Sequence, residues 1–78
     1  MLKLYVRTGC PYCAAVLRKL NEEGIPYEEL NVSDPNVEKE LIELGGKRQT
    51  PFFHDEENNV KMYESGDIID YLDEHYTS

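Results

Sequence analysis

Between Val6 and Val16 the hydrophobic spacing of this chain changes from two to about 3.6, and the change is made across Thr8-Gly9-Cys10-Pro11. Leu2, Leu4 and Val6 alternate with Lys3 and Tyr5, so residues 2–6 read as a strand with one apolar face. Cys13, Val16, Leu17 and Leu20 then recur at helical spacing, with Arg18 and Lys19 on the other face. Pro11 suits the first turn of that helix, where a missing N–H costs nothing. A strand that hands over so abruptly to an amphipathic helix must have the helix folded back on its own sheet, and the chain beyond must supply neighbouring strands.

The remaining sequence supplies them. Asn21 to Gly24 ends the helix, with Gly24 as a left-handed cap. Ile25 to Val32 is a second strand, entered through Ile25-Pro26, which favours extended geometry. Asp34 before Pro35 starts a second helix; Val37, Leu41 and Leu44 line one face of it, and Gly45-Gly46 stops it. Thr50 to His54 is a short apolar strand, Asp55 to Asn59 a polar turn, and Val60 to Tyr63 an antiparallel return. Ser65-Gly66 precedes a third helix, Asp67 to Tyr76, with Ile68, Ile69, Leu72 and Tyr76 toward the interior. The order β-α-β-α-β-β-α predicts an α/β domain over residues 1–78. Its first two strands should be parallel through a right-handed crossover and its last two antiparallel, in one four-stranded mixed sheet with helices packed on it.

A chain of 78 residues is near the lower limit for a self-sufficient core. Its two cysteines offer no structural remedy. A bond between Cys10 and Cys13 closes so small a loop that it removes little entropy from the unfolded chain. The pair is therefore read as chemistry. A secreted domain this small usually carries more cysteines, so a reducing cytoplasmic setting is expected. The N-terminal residues have no apolar run of signal-peptide length, and nothing approaches a membrane span. The net charge of −8 argues against nucleic acid or an anionic membrane as partner. All 16 acids lie in residues 22–78, whereas residues 1–21 hold Lys3, Arg7, Arg18 and Lys19 and no acid. An acidic surface serves solubility, while the cysteine end stays electropositive for an anionic ligand.

Cys10 falls at the helix N-cap, where free N–H groups and the helix dipole favour an anion, and Arg7 adds positive charge nearby. Such a place typically lowers a cysteine pKa to about 3.5–7.5. Cys13, one turn further and on the apolar side, should be less exposed and less acidic, which makes Cys10 the attacking thiol and Cys13 the resolving one. A drop from about 8.5 to about 5 raises the thiolate fraction at pH 7 roughly 30-fold. A Brønsted slope of about 0.45 lowers intrinsic nucleophilicity roughly 40-fold over the same change. Attack gains almost nothing, and the benefit goes to Cys10 as a leaving group. The arrangement favours rapid turnover of mixed disulfides. Zinc is the competing reading, but His54 and His75 lack ligand spacing and read as surface or capping residues, so no metal site is expected.

Cys10-Pro11-Tyr12-Cys13 after a first strand resembles the dithiol glutaredoxin active site and differs from the Cys-Gly-Pro-Cys of thioredoxins. Thr50-Pro51 is similar to that family's residue plus cis-proline, and Ser65-Gly66-Asp67 to the turn that opens its last helix. The resemblance implies a thioredoxin fold and glutathione as cosubstrate, with no tightly bound cofactor. The reaction it implies is glutathione-dependent reduction of protein disulfides and of glutathionylated proteins by a monomer. It further implies that Arg7 and Arg48 hold a glutathione carboxylate and that Tyr12 lies beside the ligand. Thr50 would offer its backbone N–H and C=O, Pro51 would be cis, and Ser65, Gly66 and Asp67 would receive the γ-glutamyl end. The bland reading of Ser65-Gly66-Asp67, a helix cap, stands beside it. Glu64-Ser65 followed by Ile68 looks instead like the glutathione-binding turn of glutathione transferase N-terminal domains, whose helical C-terminal domain has no counterpart in these residues. Gln49 stands where many relatives have threonine. Three other readings stay open: a redoxin recharged by thioredoxin reductase, a [2Fe-2S] carrier bridged by Cys10 and glutathione, and a transferase-like module that binds glutathione without turnover.

Overall fold

The computed structural model describes residues 1–76, in the order β1 (Leu2–Val6), α1 (Pro11–Glu22), β2 (Glu28–Asn31), α2 (Pro35–Gly45), β3 (Phe52–Asp55), β4 (Val60–Met62) and α3 (Ser65–His75). The strands lie β2-β1-β3-β4. β1 pairs with β2 in parallel, from Lys3 opposite Glu28 to Val6 opposite Asn31. It pairs antiparallel with β3, from Leu2 opposite Asp55 to Tyr5 opposite Phe52, and β3 pairs antiparallel with β4. This is the mixed four-stranded sheet of the thioredoxin fold that the sequence predicts. Among the described residues no helix is long and apolar enough to cross a membrane.

Successive strand residues point to opposite faces, and the sheet therefore has two cores. On one face Leu2, Leu4, Val6 and Phe53 pack against Cys13, Val16 and Leu20 of α1 and Ile68 and Leu72 of α3. On the other, Tyr5, Val32 and Phe52 pack against Leu41 of α2, with Val37 and Leu44 alongside. Adjacent Phe52 and Phe53 thus serve opposite layers.

Three elements start at other residues than the sequence reading gives, each for a local reason. β2 pairs only over Glu28–Asn31, because Pro26 has no N–H to enter a ladder and Ile25 turns into the core instead. β3 starts at Phe52 rather than Thr50, since Pro51 likewise has no N–H to donate; the Thr50–Pro51 peptide is cis. α3 starts two residues early: Ser65, Gly66 and Asp67 form its first turn, and the cap is Glu64, whose side chain makes no capping bond. The glycine and aspartate signals hold as read. Gly24 and Gly46 have φ of 65° and 88° beyond their helices, and the Asp34 carboxylate accepts from the Asn36 amide.

Asp55, read from sequence as the first residue of a polar turn, ends β3 with no solvent exposure. Its carboxylate accepts from the hydroxyls of Tyr71 (2.7 Å) and Tyr76 (2.6 Å), the Asn58 side-chain amide (2.8 Å), and the backbone amides of Glu57 and Asn58. One buried anion thereby ties the β3–β4 turn to the C-terminal end of α3. Burial by itself would raise its pKa, but the donors from Tyr76, Asn58 and Tyr71 outweigh burial and hold it well below the ordinary value of 3.8. Burial first, and the bond to Asp55 second, push Tyr71 and Tyr76 up to about 12. Because the folded pKa is depressed, this stabilisation is fully present above about pH 4 and is lost as pH falls below it. Hydrogen bonds to a charged group contribute about 1.5–3 kcal/mol each. Asp55→Asn is therefore expected to lower the melting temperature at pH 7 by about 10 °C or more. It should also flatten the loss of stability as pH falls below about 4, as followed by circular dichroism.

Candidate active site

The site forms where β1 ends and α1 begins. Cys10 is the N-cap of α1, with φ −85° and ψ 112°, and its sulfur accepts a hydrogen bond from the Cys13 amide at 3.2 Å. Pro11 occupies the first helical position and Gly9 takes φ 80° before the cap. Both cysteines are buried, Cys13 at 2% exposure and Cys10 at 6%, so Cys10 is the more accessible by a narrow margin. Both are free thiols.

The two sulfurs differ in acidity. Burial pushes the Cys10 thiol up. The Cys13 thiol and amide, the Thr50 hydroxyl and the Tyr12 amide donate toward it, and together they hold it below the ordinary cysteine value. Burial and the bond to Cys10 push Cys13 the other way, against a smaller opposing effect of the Arg7 backbone. The sequence assigns the lowering of Cys10 to the helix end and to Arg7. In the structure the helix end acts through the first-turn amides of Tyr12 and Cys13, and one further donor, the Thr50 hydroxyl at 3.9 Å, comes from another element.

Around this pair six of the eight remaining sequence-derived residues fall into two adjoining hollows. Tyr12, Thr50, Pro51 and Ser65 line one of about 370 Å³, together with Gln49, Tyr63 and Glu64. Arg7, Arg48, Gln49 and Thr50 line the other, of about 290 Å³. Thr50 is common to both and adjacent to Cys10. Gly66 and Asp67 are exposed on the first turn of α3 and line neither hollow. The first intrahelical bond of α3 runs from Ile68 N–H to Glu64 C=O, so the amides of Ser65, Gly66 and Asp67 lie ahead of the ladder. A carboxylate approaching this turn meets free N–H groups.

Arg48 is not solitary: its Nε donates to the Glu38 carboxylate, which leaves the other guanidinium donors for a ligand. Glu38 and Tyr63 escaped sequence reasoning, because neither belongs to a motif and each acts across ten residues or more. A third cavity, about 520 Å³, adjoins both cysteines along Val6, Thr8, Ala14, Leu17 and Asn31 and shares Arg7 with the arginine hollow. His54 and His75 lie outside the site; His54 Nδ1 is buried without a partner, and burial together with Lys61 holds its pKa down.

Residues 4–78 match the family model described as Glutathione S-transferase, N-terminal domain. The chain belongs to the glutathione S-transferase N-terminal domain family. A glutathione S-transferase-like protein of Beauveria bassiana is 34% identical over 96% of this chain and 35% of its own length. Glutaredoxin 1 of Rickettsia felis is 35% identical over 62% of this chain and 50% of its own length. Among solved structures, a glutathione S-transferase from the Antarctic clam Laternula elliptica superposes with a TM-score of 0.81 and 36% identity, over 96% of this chain and 35% of that one. The chain thus spans about a third of these two transferases and half of the glutaredoxin. Relatives of both kinds are what the Cys-Pro-Tyr-Cys pair and the Glu64-Ser65 turn together imply.

The directed donors give a direct test. Alkylation of Cys10 by iodoacetamide, followed against pH, is expected to have its midpoint below the ordinary thiol value, with Cys13 unreactive over the same range. Thr50→Val removes one donor and should move that midpoint upward. An unmoved midpoint would exclude the Thr50 hydroxyl as a source of the acidity.

Proposed function

We propose that this chain is a glutathione-dependent thiol–disulfide oxidoreductase of the dithiol glutaredoxin type, reducing protein disulfides and protein–glutathione mixed disulfides. The observation that carries this reading is the placing of two neighbouring thiols: the Cys10 sulfur caps α1 and accepts from the Cys13 amide at 3.2 Å, and Cys13 lies buried one turn behind it. Family membership and the two hollows beside Thr50 support glutathione as the partner.

The steps follow from thiolate chemistry. The Cys10 thiolate attacks the glutathionyl sulfur of a mixed disulfide, and the protein thiol leaves and takes up a proton. Cys10 then carries glutathione. A second glutathione thiolate attacks that glutathionyl sulfur, expelling the Cys10 thiolate and forming glutathione disulfide. Against an intramolecular protein disulfide, the Cys10 thiolate attacks one substrate sulfur and frees the other as a thiol; Cys13 then attacks the Cys10 sulfur, forms the Cys10–Cys13 disulfide and expels the reduced substrate, and two glutathiones restore the dithiol and leave as glutathione disulfide. Electrons come from glutathione throughout. The low pKa of Cys10 makes it a good leaving group where glutathione attacks the glutathionyl sulfur bound to it.

A second reading, a transferase-like module that binds glutathione without turnover, is favoured by the Glu64-Ser65 turn and by the share of its transferase relatives that the chain spans. One assay separates the two: reduction of a glutathionylated peptide coupled to glutathione reductase. Cys10→Ser is expected to abolish turnover. Cys13→Ser should retain deglutathionylation, which a second glutathione can complete, and lose reduction of intramolecular protein disulfides. A Cys13→Ser protein inactive on the glutathionylated peptide would reverse the roles given to the two sulfurs, and a wild type that binds glutathione without turnover would favour the module.

A further inference from the structure

Resting on the glutathione-dependent reading, we propose that Tyr63 is the positioning residue of the ligand groove: its hydroxyl holds the Lys47 carbonyl and so fixes the segment that presents Arg48 and Thr50. That segment, 46–51, lies outside helix and strand, between the end of α2 and the start of β3. Side chains from two other places reach it. Glu38 pairs with the Arg48 side chain, and Tyr63 donates to the Lys47 carbonyl at 2.8 Å.

The surroundings of Tyr63 are shaped to keep it there. Its ring packs on Phe52, centroids 4.7 Å apart, and Lys47 Nζ sits 4.8 Å over the ring. Gly45, the last residue of α2, has room for nothing larger than hydrogen: a Cβ there would overlap the Tyr63 hydroxyl oxygen and lie 2.7 Å from Cζ. Gly45 therefore admits the ring, the ring carries the hydroxyl to Lys47, and Gly46 at φ 88° turns the chain so that the carbonyl meets it. The same ring lines the hollow with Tyr12, Gln49, Thr50 and Ser65. Tyr63 thus joins three parts of the groove: the end of α2, the segment before β3, and the entry to α3, which begins just beyond Glu64. The hydroxyl is the adjustable part, since a Tyr63→Phe substitution would keep the ring packing and lose only the bond.

The test uses the whole chain with Tyr63→Phe and Gly45→Ala. Loss of one hydrogen bond that orders the segment is expected to raise KM for glutathione about five-fold, with kcat unchanged. The pH midpoint of Cys10 alkylation should remain where it is, because its donors are Cys13, Tyr12 and Thr50. Trypsin should cut faster after Lys47 and Arg48 in Tyr63→Phe, and this readout needs no glutathione. Gly45→Ala, which keeps the tyrosine but displaces it, should reproduce both effects. A Tyr63→Phe protein that melts lower but has unchanged KM and unchanged cleavage at Lys47 and Arg48 would make Tyr63 a packing residue and overturn the proposal. Faster cleavage with unchanged KM would also overturn it, since the segment would be clamped without positioning the ligand. Failure of the underlying reading looks different: the wild type itself would show no glutathione turnover, whatever Tyr63 does to the cleavage rate.

Discussion

The antiparallel register between β1 and β3 fixes most of what this molecule can do. With Tyr5 opposite Phe52 and Leu2 opposite Asp55, the end of β1 that leads into Cys10 meets the end of β3 that follows Thr50-Pro51. The Thr50 hydroxyl therefore reaches the Cys10 sulfur although forty residues separate them. At the other end of the same pair, Asp55 is carried under Tyr71 and Tyr76. A slip of one residue would exchange Phe52 with Phe53 between the two cores and part Thr50 from Cys10, so packing and chemistry are selected by one alignment.

The two ends of the β1–β3 pair hold anions in the same way and for different purposes. Asp55 is a buried carboxylate satisfied by hydroxyls and amides without a cation, and Cys10 is a buried sulfur whose negative form is favoured by a thiol, amides and a hydroxyl. Oriented donors substitute for water in both places. At Asp55 the donors are shared among the turn and α3 and stabilise the fold. At Cys10 they come from the first turn of α1 and from Thr50, and the sulfur remains at the edge of open cavities, where a second sulfur can reach it.

The parts legible in the sequence are those written in local spacing. The switch of period at Thr8–Pro11, the caps at Gly24, Asp34 and Gly46, and the apolar stripes of all three helices needed only neighbours along the chain. The N-cap position of Cys10 was local too. The strand edges were less legible, because Ile25 and Thr50 are apolar or β-branched and continue the pattern past prolines that cannot pair. Asp55 reads as the start of a polar turn for a related reason: its partners, Tyr71 and Tyr76, lie sixteen and twenty-one residues away and carry no motif. The roles of Glu38 and Tyr63 in holding Lys47 and Arg48 are long-range in the same sense, and only the fold brings them to view.

The central claim is that the two thiols form one redox unit in which Cys10 meets glutathione and Cys13 completes the exchange. It is tested most directly by mixing the reduced protein with glutathione disulfide and following thiol release together with mass spectrometry of the quenched protein. The account predicts a transient adduct on Cys10, then a Cys10–Cys13 disulfide, with two glutathione thiols released per chain. A stable adduct with Cys13 left free, or an adduct formed on Cys13, would contradict it.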